Sequence, residues 1–270
     1  MAKDASTRMA RISSRPKLSG MSRRLTAEFL GTALLVTVVV GSGIAAERLS
    51  SNDVGLQLLE NSTATAFGLT VLILLFGPVS GGHFNPVVSA ADWLLGRRAG
   101  TGLSGADVAA YSTAQIIGGV CGAELANLMY QVPLGDLSTK DRTGGHLLLG
   151  EVVATAGLVA LIFALARTGR GMLAAPAVGA YIGAAYWFTS STSFANPAVT
   201  VGRAFSDTFA GISPGSVPGF IVAQLVGGLI AVGLAGWLYP HNGESADDVV
   251  VPHTRAPDND SGTTTHRSNR

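Results

Sequence analysis

The central part of the sequence has few charged residues. The whole sequence has 35 acidic and basic residues, of which 8 lie in residues 1–24 and 8 in residues 241–270. This leaves 19 for the 216 residues between them. In an ordinary soluble domain about a quarter of all residues are charged. The sequence therefore argues against a soluble domain between the two ends and indicates membrane-spanning segments instead.

The sequence also lacks the residues that a disulfide framework, a metal site or a catalytic centre would need. Cys121 is the only cysteine, so no intrachain disulfide can form and no cysteine cluster is available to a metal. His83 has no second His, Cys or carboxylate placed to share a metal, and we expect it to pack or to form a hydrogen bond. We therefore predict no metal, no cofactor and no enzymatic activity. The net charge of +1 does not favour a nucleic-acid partner.

Six apolar segments occupy the region between the charged ends. The longest reach the length of about 20 residues that crosses a hydrocarbon core of about 30 Å, and the shorter ones reach it with their Ser, Thr and Gly flanks. We predict an all-α membrane protein with a basic leader at 1–24, a membrane domain at 25–240 and a tail at 241–270, both ends being disordered. The segments are Leu25–Ala46, Thr63–Val79, Ala106–Tyr130, Leu147–Ala166, Leu173–Phe188 and Val217–Tyr239.

Basic residues are concentrated at one set of segment ends. Residues 1–24 contain seven Lys or Arg, Arg97 and Arg98 follow the second segment, and Arg167 and Arg170 follow the fourth. The positive-inside rule then predicts that both chain ends are cytoplasmic, which agrees with an even number of spans. We expect a multi-pass protein of the plasma (inner) membrane, with the lipid bilayer as its surroundings.

Each half of the sequence contains the same three features in the same order. Glu28 opens the first segment and Glu151 the fourth; an Asn-Pro pair follows at 85–86 and at 196–197; Gln115 and Gln224 then begin a Gln-x-x-Gly-Gly pattern. The two Asn-Pro pairs are 111 residues apart. This repetition indicates a duplicated unit of three spans, with repeats of about 25–131 and 144–240.

Three spans per repeat require the second copy to be inverted in the membrane, as in many transport proteins. The segments Pro86–Leu95 and Pro197–Phe205 are long enough to cross only half of a bilayer as helices. Inversion makes them meet at their N-termini. Asn85 and Asn196 suit the N-cap position, because the side-chain oxygen can accept from first-turn amides, and Pro suits the first helical position. We expect each Asn amide group to remain as a donor facing a solute pathway.

These motifs resemble those of the aquaporin (major intrinsic protein) family, over about Leu25 to Tyr239. The resemblance implies six tilted helices and two re-entrant half-helices, assembled as homotetramers with one pore per protomer. It implies that Asn85 and Asn196 are the donors at the pore centre and that Glu28 and Glu151 brace the loops before the half-helices. The half-helices would start at Pro86, Val87, Pro197 and Ala198.

The sequence departs from the family at positions that affect selectivity. Val87 stands where Ala is usual, and Val199 stands where most members have the arginine of the narrow filter; Arg203, one turn further, is expected at the filter or in the vestibule. Counting from the motifs places the filter at Thr65, Ala184, Ser193 and Val199, with Phe67, Tyr181 and Tyr186 as nearby alternatives. The first set contains neither a bulky aromatic nor a fixed cation and predicts a wide opening.

The predicted function is a passive channel for water and small uncharged solutes such as glycerol, with ions and protons excluded by the converging half-helix dipoles. The segment Phe76–Ser80 together with Val199 also resembles bacterial aquaglyceroporins associated with arsenic resistance, which implies neutral arsenicals or arsenous acid as solutes. A strict water channel remains an alternative. A coupled secondary transporter is another, although it would require ionisable residues at the broken helices.

Overall fold

The computed structural model describes residues 20–97 and 100–239 of the 270-residue chain. Residues 1–19 of the predicted leader and the predicted tail at 241–270 fall outside this part of the chain. The first helix begins at Gly20, five residues before the expected start, so the last residues assigned to the leader are helical.

The described part of the chain folds into six long and two short α-helices and contains no β-strand. A single 3₁₀ turn at Gly171–Leu173 precedes the fifth long helix. The predicted all-α architecture of six spans and two half-helices is confirmed. The helices are α1 (Gly20–Leu49), α2 (Val54–Ser80), α3 (Pro86–Gly96), α4 (Gly105–Tyr130), α5 (Gly145–Arg167), α6 (Ala174–Phe188), α7 (Pro197–Arg203) and α8 (Val217–Leu238).

Five of the long helical segments are apolar and long enough to cross a membrane. The sixth, α4, has 26 residues and so has the necessary length of about 39 Å, but it is not among the five that are apolar enough. The half-helices α3 and α7 have 11 and 7 residues, so α7 is two residues shorter than expected.

Local sequence signals explain where several helices begin and end. Asp53 caps α2, and Ser104 forms a capping box with Asp107 at the start of α4, which satisfies amides that have no partner within the helix. At its end, α2 is stopped by Gly81, whose φ of +92° is open to glycine without strain. The loop that carries the first Asn-Pro motif begins there.

The two repeats pack in the same way on opposite sides of the protein. Helix α1 packs against α2 and α4, and α5 packs correspondingly against α6 and α8; α2 meets α6 and the half-helices meet α4 and α8 across the centre. Glycines allow the closest approaches. A side chain at Gly122 would overlap the carbonyl of Ala33, and one at Gly227 would overlap that of Val152. Close packing by small residues is typical of membrane helix interfaces.

Candidate functional site

The two half-helices begin beside each other in the centre of the protein. Asn85 caps α3 by accepting from the Val87 amide at 3.0 Å. Asn196 caps α7 by accepting from the amides of Ala198 at 2.9 Å and Val199 at 3.3 Å. Each helix N-terminus carries the equivalent of about half a positive charge, so the two caps bring two positive ends together at one point.

Each cap asparagine also contacts the loop of the other repeat. Asn85 Nδ2 donates to the Ala195 carbonyl at 2.8 Å, and Asn196 Nδ2 donates to the Phe84 carbonyl at 2.7 Å. The sequence alone predicts amides that face only the pathway. The structure shows that one hydrogen of each amide joins the two re-entrant loops, whereas the second hydrogen has no partner among the described residues.

The residues before the asparagines adopt left-handed backbone conformations. Phe84 has φ of 48° and Ala195 has φ of 50°, a region that is costly for residues with a side chain. Both residues are buried. Because their carbonyls accept the crossed hydrogen bonds from the cap asparagines, Asn85 and Asn196 help to hold this conformation in place.

Glu28 of α1 is hydrogen-bonded to the loop that precedes α3. Its carboxylate accepts from the amides of His83 at 3.0 Å and Phe84 at 2.7 Å, from Ser80 Oγ at 2.6 Å and from Gln115 Nε2 at 2.7 Å. Four donors to one fully buried carboxylate satisfy most of its acceptor capacity. Through these contacts Glu28 joins α1 to the loop before α3 and to α4.

Glu151 repeats this arrangement in the second half. It accepts from the amides of Phe194 at 2.9 Å and Ala195 at 2.8 Å and from Gln224 Nε2 at 2.6 Å. Gln224 also donates to Thr200 Oγ1 at 2.8 Å, as Gln115 does to Ser89 in the first half. The repeated Gln of the sequence pattern therefore joins each brace to its half-helix.

A cavity of about 50 Å³ lies at the meeting point of the half-helices. A cavity needs about 10–15 Å³ of such space to hold one water molecule, so this one has room for a few waters. Most of its lining is apolar, and its polar groups are few. The lining residues are Leu35, Val39, Thr65, Leu69, Ile73, Gly82, His83, Phe84, Asn85, Val88, Leu158, Ile162, Val178, Ile182, Tyr186, Ser193, Asn196, Val199 and Arg203.

Three of the four filter positions predicted by counting line this cavity. Thr65, Ser193 and Val199 do so, whereas Ala184 is on the exposed face of α6 and does not. Tyr186, one of the nearby alternatives, lines the cavity instead, and its hydroxyl lies 3.2 Å from Thr65 Oγ1. The expectation of a lining without a bulky aromatic is therefore wrong, because helix rotation turns Tyr186 inward and Ala184 outward.

Arg203 adds a cation to the same cavity. It is 2 % exposed, donates from Nε to the Ala210 carbonyl and lies with its guanidinium carbon 3.5 Å from the centre of the Phe194 ring. The sequence left its place open between filter and vestibule. The structure puts it at the last residue of α7, one turn beyond Val199. We call this end of the cavity, which lies at the C-terminus of α7, the α7 end.

Two other polar residues have structural contacts. His83 lines the cavity, and its Nδ1 is 3.0 Å from Ser89 Oγ, as expected for a packed, hydrogen-bonded histidine. Glu124 of α4 accepts from the Gly135 amide at 3.1 Å and holds the loop after α4. Groups of three or more potential metal ligands do not occur in the described ranges.

Comparison with known proteins agrees with this arrangement. The major intrinsic protein family matches residues 16–195. The chain is 51% identical to aquaglyceroporin AqpS of Rhizobium meliloti over 219 residues, covering 81% of this chain and 91% of that protein. It is 31% identical to the glycerol uptake facilitator protein of Pseudomonas aeruginosa, covering 77% and 85%.

A solved structure shows the same fold. The aquaglyceroporin from Plasmodium falciparum superimposes with a TM-score of 0.59 at 18% identity, covering 82% of this chain and 96% of that one. The inverted repeat, the paired Asn caps and the sequence matches lead to one conclusion: this multi-pass membrane protein is not an enzyme but belongs to the major intrinsic protein family of channels.

Proposed function

We propose that the protein is a passive channel for water and for small uncharged solutes such as glycerol. The observation that carries this proposal is the pair of asparagines at the meeting half-helix N-termini. Asn85 and Asn196 each keep one amide hydrogen for a passing hydroxyl, inside a cavity that is otherwise mostly apolar. A solute that exchanges hydrogen bonds with these donors avoids the full cost of losing water.

The same geometry supports the exclusion of protons and cations. Two half-helix N-termini and Arg203 place positive charge along the cavity, and no carboxylate is among the lining residues named above. A cation would lose its water and meet repulsion at the centre. A transporter coupled to a metal cation would need a carboxylate or another anionic group to bind its ion there.

The polar groups near Arg203 support passage of polyols. Thr65, Tyr186 and Ser193 offer hydroxyl groups on one stretch of the lining, while Val199 leaves a small apolar surface. A linear polyol has both hydroxyl and CH faces and matches such a lining. Arsenous acid, a neutral molecule with three hydroxyl groups, fits the same chemistry, and the aquaglyceroporin-like sequence around both motifs supports including it.

We place the protein in the plasma (inner) membrane with both chain ends in the cytoplasm, on the basis of its Lys and Arg distribution. The loop between α4 and α5 is then extracellular, as is the α7 end of the cavity. We also propose a homotetramer, because the family relationship favours it and the outer helix faces expose many large apolar side chains.

Stopped-flow light scattering on proteoliposomes tests the proposed function. At matched protein density, water, glycerol and arsenous acid should cross faster than in empty liposomes, at rates independent of a proton gradient. If water crosses faster than in empty liposomes while glycerol and arsenous acid stay at background, the protein is a strict water channel. Flux that follows a proton gradient would show a coupled transporter and overturn the proposal.

Val199→Arg should lower glycerol and arsenous acid flux more than water flux. A guanidinium at this position fills space in a cavity of about 50 Å³ and leaves room for water more readily than for a polyol. We expect the ratio of glycerol to water permeability to fall about tenfold, the equivalent of about 1.4 kcal/mol in the barrier. Val199→Leu, which adds one methylene and no charge, is the control. Equal reductions for water and glycerol in Val199→Arg would mean that residue 199 does not select solutes.

A further inference from the structure

Three basic side chains hold the loop between α7 and α8. Lys140 Nζ, Arg203 Nε and Arg142 Nε donate, in that order, to the consecutive carbonyls of residues 209–211. Lys140 and Arg142 come from the loop between α4 and α5, whereas Arg203 ends α7. The tertiary structure thus gathers three cations at one end of the cavity.

Both arginines use only Nε for this purpose. In the described part of the chain, the terminal Nη groups of Arg142 and Arg203 donate no hydrogen bond, and neither side chain forms an ion pair. The Nη edge of a guanidinium is a planar pair of donors that matches a carboxylate or another oxyanion. The Nη edges of Arg142 and Arg203 are therefore without hydrogen-bond acceptors in partly buried surroundings.

Both guanidinium groups contact the same aromatic ring. The carbon of Arg203 is 3.5 Å and that of Arg142 is 5.0 Å from the centre of Phe194. Burial, reinforced by the positive charges of Arg142 and Arg203, lowers the pKa of Lys140 to about 8. Burial likewise lowers the pKa of Arg142 to about 10. The shift of Lys140 thus reflects its two positive neighbours as well as burial, whereas that of Arg142 reflects burial and is opposed by the negative charge of Glu151.

Ser193, which precedes Phe194 in the chain, supplies a further donor without a partner. Ser193 is 3 % exposed and lines the cavity together with Arg203, and its Oγ has no hydrogen-bond partner among the described residues. A buried hydroxyl without a partner is costly unless a water or a ligand completes it. The nearby carboxylate of Asp141 is engaged elsewhere, with Ser216 Oγ and Thr143 Oγ1.

We propose that Arg142 and Arg203, with Ser193, form a binding site for a small oxyanion such as a carboxylate at the α7 end of the cavity. The arginine Nη groups would bind the oxygens, and the Ser193 hydroxyl would complete the set. Because Arg203 lines the cavity, a bound anion obstructs the pathway of neutral solutes. This last effect rests on the proposed channel function, whereas binding itself does not.

Thermal unfolding of the purified full-length protein, with acetate replacing chloride at constant ionic strength, tests the site. We expect a saturable stabilisation by acetate in the unchanged protein. Arg142→Gln should raise the acetate Kd about tenfold or more, as loss of a charge-assisted pair implies. Arg48→Gln is the matched control, because Arg48 is an exposed arginine that donates to the Tyr130 carbonyl and stacks on a different ring; its Kd should stay unchanged.

Arg142→Lys keeps the charge and a donor for the Gly211 carbonyl, so it decides the matter if Arg142→Gln does not fold. Its Kd for acetate should still rise severalfold, because the planar pair of donors is lost. No saturable stabilisation of the unchanged protein over chloride, or an unchanged Kd in Arg142→Lys, would overturn the proposal.

Glycerol flux measured with acetate on both sides of the liposome separates this proposal from the channel function. Acetate binding together with a fall in glycerol flux supports the site. Acetate binding in a protein that does not conduct glycerol would support the site and overturn the channel function. Glycerol flux without any acetate-dependent stabilisation would leave the channel function and overturn the site.

Discussion

Gly227→Ala is expected to destabilise the protein by about 3 kcal/mol, at the upper end of the cost of overpacking. A methyl group at this position would overlap the Val152 carbonyl and would lie 3.0 Å from Thr155 Cβ and 3.1 Å from the Ala156 amide. These atoms belong to α5, whose backbone cannot move without displacing Glu151. Thermal or denaturant unfolding in detergent measures the loss.

Gly233→Ala in the same helix is the matched control. Gly233 is exposed, and a methyl group there would meet no atom within 4 Å. Alanine is the better helix former by about 1 kcal/mol, so the control should be neutral or slightly stabilised. Equal stability of the two variants would mean that α8 does not pack on α5 as described.

Glu151→Gln is expected to cost about 3 kcal/mol and to lower water and glycerol flux together. The change preserves shape but replaces one acceptor oxygen by an NH₂ group. All three partners of Glu151 are donors, namely the amides of Phe194 and Ala195 and the Gln224 side chain. In either amide orientation a donor then faces a donor, and each buried group left without a partner costs about 1–3 kcal/mol.

Flux falls because the loop that Glu151 holds also positions Asn196. Glu60→Gln serves as the control, since its one hydrogen bond, accepted from Ser50 Oγ, can be made equally well by an amide oxygen. Its stability should stay within about 0.5 kcal/mol of the original. Flux at the original level in Glu151→Gln, with unfolding at the original temperature, would contradict the bracing role.

The helices and the two half-helices follow from patterns that are local in the sequence. Apolar runs of the required length, Pro at the first helical position and Asn at the cap each act within a few residues. The inverted arrangement also follows from sequence, because an odd number of spans separates the copies. Hence the fold and the two central asparagines were predictable before any coordinates.

The lining of the cavity could not be obtained in this way. Ala184 and Tyr186 are two residues apart, which is about 200° around a helix, so a small error in counting exchanges an inward side chain for an outward one. A flank of α6 packs against α2 and thereby sets the rotation. The 3.2 Å contact between Tyr186 and Thr65 joins residues that no sequence pattern relates.

The sequence by itself determined that this protein is an inverted-repeat channel with paired Asn caps. Only the tertiary structure decided that each cap also ties the opposite loop and that Tyr186 belongs to the lining. It also decided that Arg142 and Arg203 contact the same ring, although 61 positions separate them in the sequence. The physical reason is that helix caps and spans are stabilised by near neighbours, whereas the lining and its charge depend on helix rotation and on loops from distant parts of the chain.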